Sequence, residues 1–185
     1  MRLLKCGRAN LRRLALLLVL AGLFLAGGSF GIWAYGIRIN MTRSLPLGLY
    51  QITHDPDARL VAFCPPPDAM DVSASRGYRG QSYGFGCPDG APPLMKPVVA
   101  MPGQHVTVRK EGIAVEHRLL PNTAPLPFDA KRRPLQAWLA GEYTVEPGMF
   151  WVASSFHPGS YDSRYLGPIH QWQILYRLRP LWLFE

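Results

Sequence analysis

The feature that most constrains this chain is an uncharged run near its amino terminus. Residues 14–37 read LALLLVLAGLFLAGGSFGIWAYGI and carry no charged side chain. A helix of about 20 apolar residues spans the hydrocarbon core of a bilayer, so this run is long enough to cross a membrane. Its far end carries Trp33 and Tyr35, and such side chains are typical of the membrane–water interface. We therefore predict a transmembrane helix over residues 14–37.

A cleaved signal peptide is the alternative interpretation of the same run. Small residues at Ala26, Gly27 and Gly28 are suitable for a cleavage site. The apolar core of a signal peptide is only about 7–15 residues long, however, and here the apolar character continues beyond Gly28. The length therefore favours a retained anchor.

Basic residues are concentrated before the apolar run, where the first 13 residues contain five of them and no acid. Only Arg38 and Arg43 follow the run closely, and this asymmetry places the amino terminus in the cytoplasm. The predicted division is a cytoplasmic basic tail over residues 1–13, the transmembrane helix over 14–37 and an outer domain over 38–185. In the inner membrane of a bacterium, this topology puts the outer domain in the periplasm.

The net charge of +8 comes mainly from the tail. The whole chain has 20 Lys and Arg against 12 Asp and Glu, and without the five basic residues of the tail the balance is 15 against 12, or +3. A field this weak, with no basic stripe interleaved with aromatic residues, does not favour binding to a polyanion. We therefore expect no nucleic acid as a partner. The predicted transmembrane helix makes the lipid bilayer an expected partner.

The outer domain has the pattern of short antiparallel strands. Apolar residues alternate with polar ones at Val106 and Val108, and again at Ile113 and Val115, which gives each strand one buried face. Eighteen glycines and eighteen prolines are typical of short strands joined by tight turns. We predict a small, mainly antiparallel β domain that closes in part into a barrel, with a surface excursion over residues 121–134. The other strand candidates are residues 59–63, 98–101, 142–145, 149–153 and 172–178.

Cysteine usage agrees with an oxidising compartment for the outer domain. Cys64 and Cys87 are its only cysteines, whereas Cys6 lies in the tail and is expected to be a free thiol. A disulfide between Cys64 and Cys87 closes a loop rich in proline and glycine, for which we predict little secondary structure. Unpaired cysteines or half of a metal site are the alternatives, but no Cys-x-x-Cys motif or neighbouring histidine pair supports a metal. We expect the disulfide, no metal and no cofactor.

Two polar residues are candidates for chemistry. Ser44 lies in NMTRSLPLGLY, residues 40–50, and Lys96 lies in the apolar stretch PPLMKPVVAMPG. The ordinary interpretation makes Ser44 a turn residue and Lys96 an exposed charge on an edge strand. If the lysine is instead buried, its pKa falls below about 10.4, and a neutral amine can deprotonate a serine. A triad of Ser44, His157 and Asp162 is the other arrangement, but no Gly-x-Ser-x-Gly elbow surrounds any serine.

Three blocks, NMTRSLPLGLY, LMKPVVAMPGQHV and GSYDSRYLGPI, occur in an order that resembles the signature blocks of the signal peptidase I family. Members of that family are membrane-anchored Ser-Lys proteases. The resemblance is greatest to the TraF branch, the conjugative-transfer peptidases, because Pro97, Gln104 and the run SSFHPGS depart from the pattern of general signal peptidases. It implies a signal-peptidase-like antiparallel β domain with one amino-terminal transmembrane helix.

The resemblance implies a role for each residue that matches the first two blocks. Ser44 is implied as the nucleophile and Lys96 as the general base that takes its proton. Thr42 falls where the family places a hydroxyl in the oxyanion hole, beside the Ser44 N–H. Hydrogen-bond donors in such a hole stabilise the negative oxygen of the tetrahedral intermediate.

The third block implies roles for three more residues. Ser160 falls where a serine orients the lysine, and Asp162 falls where the TraF branch has an aspartate implicated in activity. Asp162 and Arg164 are expected to pair and brace the chain at this point. The resemblance to the TraF branch also implies that the cleaved product can be closed head to tail, by attack of its own amine on the acyl-enzyme. Asp162 is our candidate for orienting that amine, because a carboxylate near Lys96 can accept a hydrogen bond from it.

Together these features predict a single-pass inner-membrane serine endopeptidase that processes a membrane-bound pilin precursor for conjugative transfer, with other conjugative transfer proteins as further partners. A general signal peptidase I, which accepts many exported precursors, is one alternative. A non-catalytic scaffold subunit of the transfer apparatus is the other, and it would not need the Ser44 hydroxyl.

Overall fold

The structure is a computed structural model that describes residues 3–80 and 86–184. The chain divides into two compact units, Met1–Arg38 and Ile39–Glu185. Within the first unit, the side chains of residues 3–10 and of Trp33 are outside the description. The expectations for the thiol of Cys6 and for Trp33 at the interface therefore concern side chains that lie outside the described part.

The first unit consists mainly of one long helix, α1 (Leu3–Ala34). Its segment Leu11–Ile32 is long and apolar enough to cross a membrane. The helix differs from the prediction at both ends, because it includes most of the basic tail and stops before residue 37. Gly36 has φ +66°, a left-handed conformation that glycine adopts readily after a last helical turn, and the chain is extended from Ile37 onward.

The remaining elements are short strands with two short helices. In chain order they are β1 (Ile37–Asn40), β2 (Gly48–Thr53), β3 (Leu60–Phe63), α2 (Pro67–Ser75), β4 (Leu94–Ala100), β5 (His105–Arg109), β6 (Gly112–Val115), β7 (Arg118–Leu119), β8 (Gly141–Thr144), β9 (Met149–Val152), α3 (Ser163–Leu166), β10 (Ile169–His170) and β11 (Ile174–Leu183).

The strands form two sheets. The larger has the order β1-β2-β11-β3-β4-β9-β10, and the smaller has the order β7-β6-β5-β8. In the larger sheet, neighbouring strands pair antiparallel along the order β2-β11-β3-β4-β9-β10. All neighbouring strands of the smaller sheet also pair antiparallel. The predicted mainly β, antiparallel class is confirmed, whereas β1 and β2 were not predicted and β11 extends five residues beyond the predicted strand.

Strand β4 lies inside the larger sheet, between β3 and β9. Its residues alternate in burial, and Leu94, Lys96, Val98 and Ala100 form the buried face. Leu94 and Val98 belong to an apolar cluster with Phe63 and other core residues. Because alternate residues of a strand share one face, the fold holds Lys96 on the core side, which excludes an exposed lysine on an edge strand.

Cys64 and Cys87 form the predicted disulfide, with their Cα atoms 5.5 Å apart. The loop that this bond closes differs from the expectation, because it contains the nine-residue helix α2. Proline is compatible with the first helical turn, where its missing N–H has no helical partner, and the carboxylate of Asp68 also suits that turn. The prolines therefore mark the start of a helix rather than a lack of structure.

Candidate active site

The first block forms a turn between β1 and β2, and its conformation is held by the side chain of Asn40. This side chain is 4% exposed. Its Nδ2 donates to the backbone carbonyls of Thr42 (2.9 Å), Leu45 (3.2 Å) and Pro46 (3.1 Å). Its Oδ1 accepts from the backbone N–H of Thr42 at 3.1 Å. One buried amide therefore fixes the chain on both sides of Ser44.

A second brace comes from Tyr50 on β2. Its side chain is 1% exposed, and its hydroxyl donates to the carbonyl of Pro46 at 2.7 Å. Neither Asn40 nor Tyr50 was predicted to take part in the site. Each acts on backbone carbonyls of the turn, and the residue pattern of the block carries no signal for such contacts.

Lys96 reaches the turn from the buried face of β4. Its Nζ lies 2.9 Å from the Oγ of Ser44, although the two residues are 52 positions apart in the chain. Ser44 is half-buried and Lys96 is 4% exposed. The structure thus brings the predicted nucleophile and the predicted base into direct hydrogen-bond contact.

The surroundings of Lys96 make its neutral form more populated than that of a lysine in water. Burial lowers the pKa of Lys96 from 10.5 to about 8, an effect that the carboxylate of Asp162 partly opposes and the guanidinium of Arg164 reinforces. At pH 7 about one molecule in ten then carries a neutral amine, against about one in three thousand for a lysine in water. A neutral amine next to a serine hydroxyl can accept its proton.

The hydroxyl of Thr42 continues this hydrogen-bonded chain on the other side of Ser44. It lies 3.1 Å from the Oγ of Ser44 and 2.8 Å from the Oδ1 of Asn40. Because the Oδ1 of Asn40 can only accept, Thr42 must give it its single hydroxyl hydrogen. The Oγ1 of Thr42 therefore faces Ser44 as an acceptor, and Thr42 can donate to an oxyanion only after its hydrogen turns away from Asn40.

The third block places Asp162 and Arg164 in a buried ion pair, with both side chains 0% exposed. The Nε of Arg164 lies 2.8 Å from one carboxylate oxygen of Asp162, and its Nη2 lies 3.1 Å from the other. The guanidinium also donates to the carbonyls of Asn122, Ser154 and Pro158. This pair fixes several backbone segments at once.

The carboxylate of Asp162 is occupied by these contacts. It accepts from the side chain and the backbone N–H of Arg164 and from the backbone N–H of Ser154. A fully buried carboxylate with these partners has no free face for an incoming amine. The geometry favours an indirect role for Asp162 over the direct contact with an amine that the sequence suggested.

Ser160 is 2% exposed, and within the described residues its Oγ has no hydrogen-bond partner. The structure therefore places it in the protein interior without the predicted hydrogen bond to Lys96. A buried hydroxyl without a partner carries an unfavourable desolvation term.

Ser154 was not predicted as part of the site, but it joins the ion pair to Ser44. Its side chain is 0% exposed, its backbone N–H donates to Asp162 at 2.9 Å, and its carbonyl accepts from Arg164 at 2.8 Å. Its Oγ donates to the backbone carbonyl of Ser44. Ser154 lies in the run SSFHPGS, which departs from the family pattern, so the resemblance assigned it no role.

His157 lies in the same run but does not complete a triad. Its Nδ1 accepts the backbone N–H of Gly159 at 3.0 Å, as in an ordinary turn. In residues 3–80 and 86–184, no group of three or more His, Cys, Asp or Glu is arranged to hold a metal ion.

Comparison with known proteins identifies the class. The family model described as "Signal peptidase, peptidase S26" matches residues 10–182. A signal peptidase I of known structure from Enterococcus faecalis V583 aligns with 70% of this chain and 100% of its own at 18% identity, with a TM-score of 0.36. The match to the family model covers almost the whole chain, and the chain therefore belongs to the peptidase S26 signal peptidase family.

Two similar relatives are more specific within that family. A plasmid transfer protein TraF from Escherichia coli is 36% identical over 177 residues, which cover 92% of this chain and 96% of the relative. A conjugal transfer protein TraF from Agrobacterium fabrum (strain C58 / ATCC 33970) is 35% identical over 170 residues, which cover 89% of this chain and 93% of the relative. The resemblance to the TraF branch is thus confirmed over nearly the full length.

Proposed function

We propose that this peptidase is a membrane-anchored serine endopeptidase that processes a pilin precursor for conjugative transfer, with Ser44 as nucleophile and Lys96 as general base. The observation that carries the proposal is the 2.9 Å contact between the Nζ of Lys96 and the Oγ of Ser44, made by a lysine whose burial lowers its pKa to about 8. The names of the TraF relatives support the assignment to conjugative transfer.

The reaction starts when the hydroxyl hydrogen of Ser44 turns from Thr42 toward the neutral amine of Lys96, which takes it as a proton. The Oγ then attacks the scissile carbonyl carbon, and the carbonyl oxygen becomes an oxyanion. The Ser44 N–H and the hydroxyl of Thr42, turned away from Asn40, stabilise that oxyanion. The tetrahedral intermediate collapses as the C–N bond breaks, and Lys96 returns its proton to the leaving amine. An acyl-enzyme ester on Ser44 remains.

Water or an amine resolves the ester. In hydrolysis, Lys96 takes a proton from water, the hydroxyl attacks the ester carbon, and Ser44 regains its hydrogen. In head-to-tail closure, the acyl group on Ser44 is the carboxyl end of the pilin, and the pilin's own amino terminus attacks it. The C–O bond to Ser44 breaks, and the surplus proton of the amine passes through Lys96 to Ser44. Closure requires that the bound amine be positioned well enough to outcompete water. Ser160, with its unpartnered hydroxyl, is our candidate for orienting Lys96 during these steps.

The helix α1 supports a membrane location for the enzyme. We propose that α1 anchors the chain in the bacterial inner membrane, with its amino terminus in the cytoplasm and residues 38–185 in the periplasm. Ser44 follows the predicted anchor by only seven residues in the sequence. A precursor held in the same bilayer by its own signal segment would present its cleavage site at the membrane surface.

Mass spectrometry of the candidate pilin from cells that carry variants of this chain tests the proposal. The precursor should remain uncleaved with Ser44→Ala, which lacks the nucleophile, and with Lys96→Ala, which lacks the base. It should also remain uncleaved with Lys96→Arg, because a guanidinium stays protonated and cannot accept the serine proton. Lys110→Ala is the matched control, since the Lys110 side chain is 93% exposed in the β5–β6 turn. Normal processing with Ser44→Ala would refute the enzyme and favour a scaffold subunit.

Two further outcomes separate the finer alternatives. Accumulation of many unrelated exported precursors in cells that lack this chain would indicate a general signal peptidase. Intact-mass measurement of the mature pilin decides between hydrolysis and closure. A mass one water below that of the linear product, with no free amino terminus, supports closure, and a linear product with a free amino terminus excludes it.

A further inference from the structure

We infer that Ser154 is a positioning residue, through which the buried pair of Asp162 and Arg164 sets the orientation of the nucleophile Ser44. This inference rests on the proposed function, because it assigns a role in the same reaction.

The first observation is the direct contact between the two serines. The Oγ of Ser154 donates its hydrogen to the backbone carbonyl of Ser44, across 110 positions of sequence. The same Oγ accepts the backbone N–H of Phe156 at 3.1 Å. The hydroxyl therefore uses its donor toward Ser44 and an acceptor site toward its own loop, and its orientation is determined by both contacts.

The second observation is that the backbone of Ser154 is itself fixed by the ion pair. The N–H of Ser154 donates to the Oδ2 of Asp162 and its carbonyl accepts from the Nη2 of Arg164. Both charged side chains are fully buried, and the guanidinium is further held by Asn122 and Pro158. A residue bound at both backbone groups to a buried ion pair has little freedom to move.

The third observation is the place where the contact acts. The carbonyl of Ser44 belongs to the nucleophilic residue itself, so holding it limits rotation about the ψ angle of Ser44. Asn40 holds the carbonyls of Thr42, Leu45 and Pro46, but not that of Ser44. Ser154 thus supplies a restraint at the reacting residue that the rest of the turn does not provide. A shift of about 1 Å at such a position is enough to lower a rate about 100-fold.

Steady-state kinetics of Ser154→Ala, with the full chain in detergent micelles and the purified pilin precursor as substrate, tests the inference. We expect kcat to fall about 10- to 100-fold while KM changes by less than about threefold, since Ser154 restrains the nucleophile and not the substrate. The pH dependence should keep its midpoint, because both charges that act on Lys96 are still present. Ser73→Ala is the matched control, since Ser73 is also 0% exposed and its Oγ also donates to a backbone carbonyl, that of Met70 in α2.

A second pair of variants keeps the test valid if alanine impairs folding. Ser154→Thr and Ser154→Val have side chains of nearly the same shape, so any overpacking affects both alike. The threonine variant retains the hydroxyl and should have at least about tenfold higher kcat than the valine variant. Equal kcat for the two, or a wild-type kcat per folded molecule in Ser154→Ala, would overturn the inference.

The controls with Ser44 and Lys96 distinguish this failure from failure of the proposed function. If Ser44→Ala and Lys96→Ala are inactive but Ser154→Ala is normal, the enzyme assignment stands and only the role of Ser154 falls. If Ser44→Ala still processes the precursor, the proposed function falls, and the role of Ser154 falls with it.

Discussion

The pH dependence of cleavage should report the buried lysine directly. Only neutral Lys96 can accept the proton of Ser44, so kcat/KM should follow the neutral fraction of an amine with a pKa of about 8. That fraction is about 1% at pH 6, about 9% at pH 7, about 50% at pH 8 and about 90% at pH 9. We therefore expect kcat/KM to rise about 90-fold from pH 6 to pH 9 and to level off above that.

The assay is cleavage of the purified pilin precursor by the full chain in detergent micelles, at substrate concentrations well below KM. Under that condition the profile reports the free enzyme rather than its complex with substrate. Lys110→Ala should reproduce the wild-type curve, because that side chain is exposed to solvent in the β5–β6 turn. The folded fraction must be measured over the same pH range, so that loss of activity is not mistaken for unfolding.

Two results would refute this reasoning. An acid limb with its midpoint near the 10.5 of an ordinary lysine would show that burial does not lower the pKa of Lys96 in the active enzyme. A flat profile from pH 6 to pH 9 would show that no group titrating in this range takes the serine proton, which would remove Lys96 as the general base.

Four further predictions follow from the same structure. Asn40→Ala should lower kcat about 100-fold, because five hydrogen bonds that fix the nucleophile turn are lost, and a wild-type kcat in a folded variant would contradict this. Lys96→Met should be inactive, but denaturant titration at pH 7 should find its free energy of unfolding higher by about 3 kcal/mol. The pKa of Lys96 is about 8 in the folded protein and 10.5 in the unfolded chain, so at pH 7 folding must bury a charged amine that methionine lacks. Replacing Cys64 and Cys87 with serine should lower the free energy of unfolding by about 3 kcal/mol, and non-reducing peptide mapping should find the two cysteines joined in the native protein. A reporter enzyme that is active only after export should be active when it is fused to the carboxyl terminus. Activity of a reporter that works only in the cytoplasm would contradict the proposed topology.

Sequence analysis was sufficient to select Ser44 and Lys96, which the structure brings into contact. Both residues lie in the blocks that carry the family resemblance, whereas the sequence left open whether Lys96 is buried or exposed on an edge strand, and the burial pattern of β4 settles this. The β class was likewise predictable, because alternation of apolar residues reports which face of a strand is buried. The helix α2 was missed because a run of prolines suggests irregular structure until the position of each proline relative to a helix start is known.

The supporting residues could not be predicted in this way. Asn40, Tyr50 and Ser154 act by hydrogen bonds to backbone carbonyls, and a carbonyl has the same chemistry at every position of the chain. Only the fold determines which carbonyl lies within reach, as in the contact between Ser154 and Ser44, 110 positions away. The contacts of Asp162 were predictable only in part, since the sequence indicated the pair with Arg164 but not that Arg164 and Ser154 together occupy its carboxylate.

Asp162 consequently has a different route to each member of the proposed pair of Ser44 and Lys96. Its charge acts through space on Lys96 and raises the pKa of that amine, whereas its hydrogen bonds act through Ser154 on the orientation of Ser44. The routes have opposite effects on the rate near pH 7 when Asp162 is changed to asparagine. Loss of the Asp162 charge lowers the pKa of Lys96, because the charge of Arg164 is then unopposed, and more of the amine is neutral. Loss of the hydrogen bond from Ser154 to the carboxylate, however, misplaces Ser44. The variant should therefore show an acid limb displaced to lower pH together with a lower plateau, whereas Ser154→Ala should lower the plateau alone. Because the plateau and the midpoint are read from one titration, these two contributions of a single buried carboxylate can be measured separately.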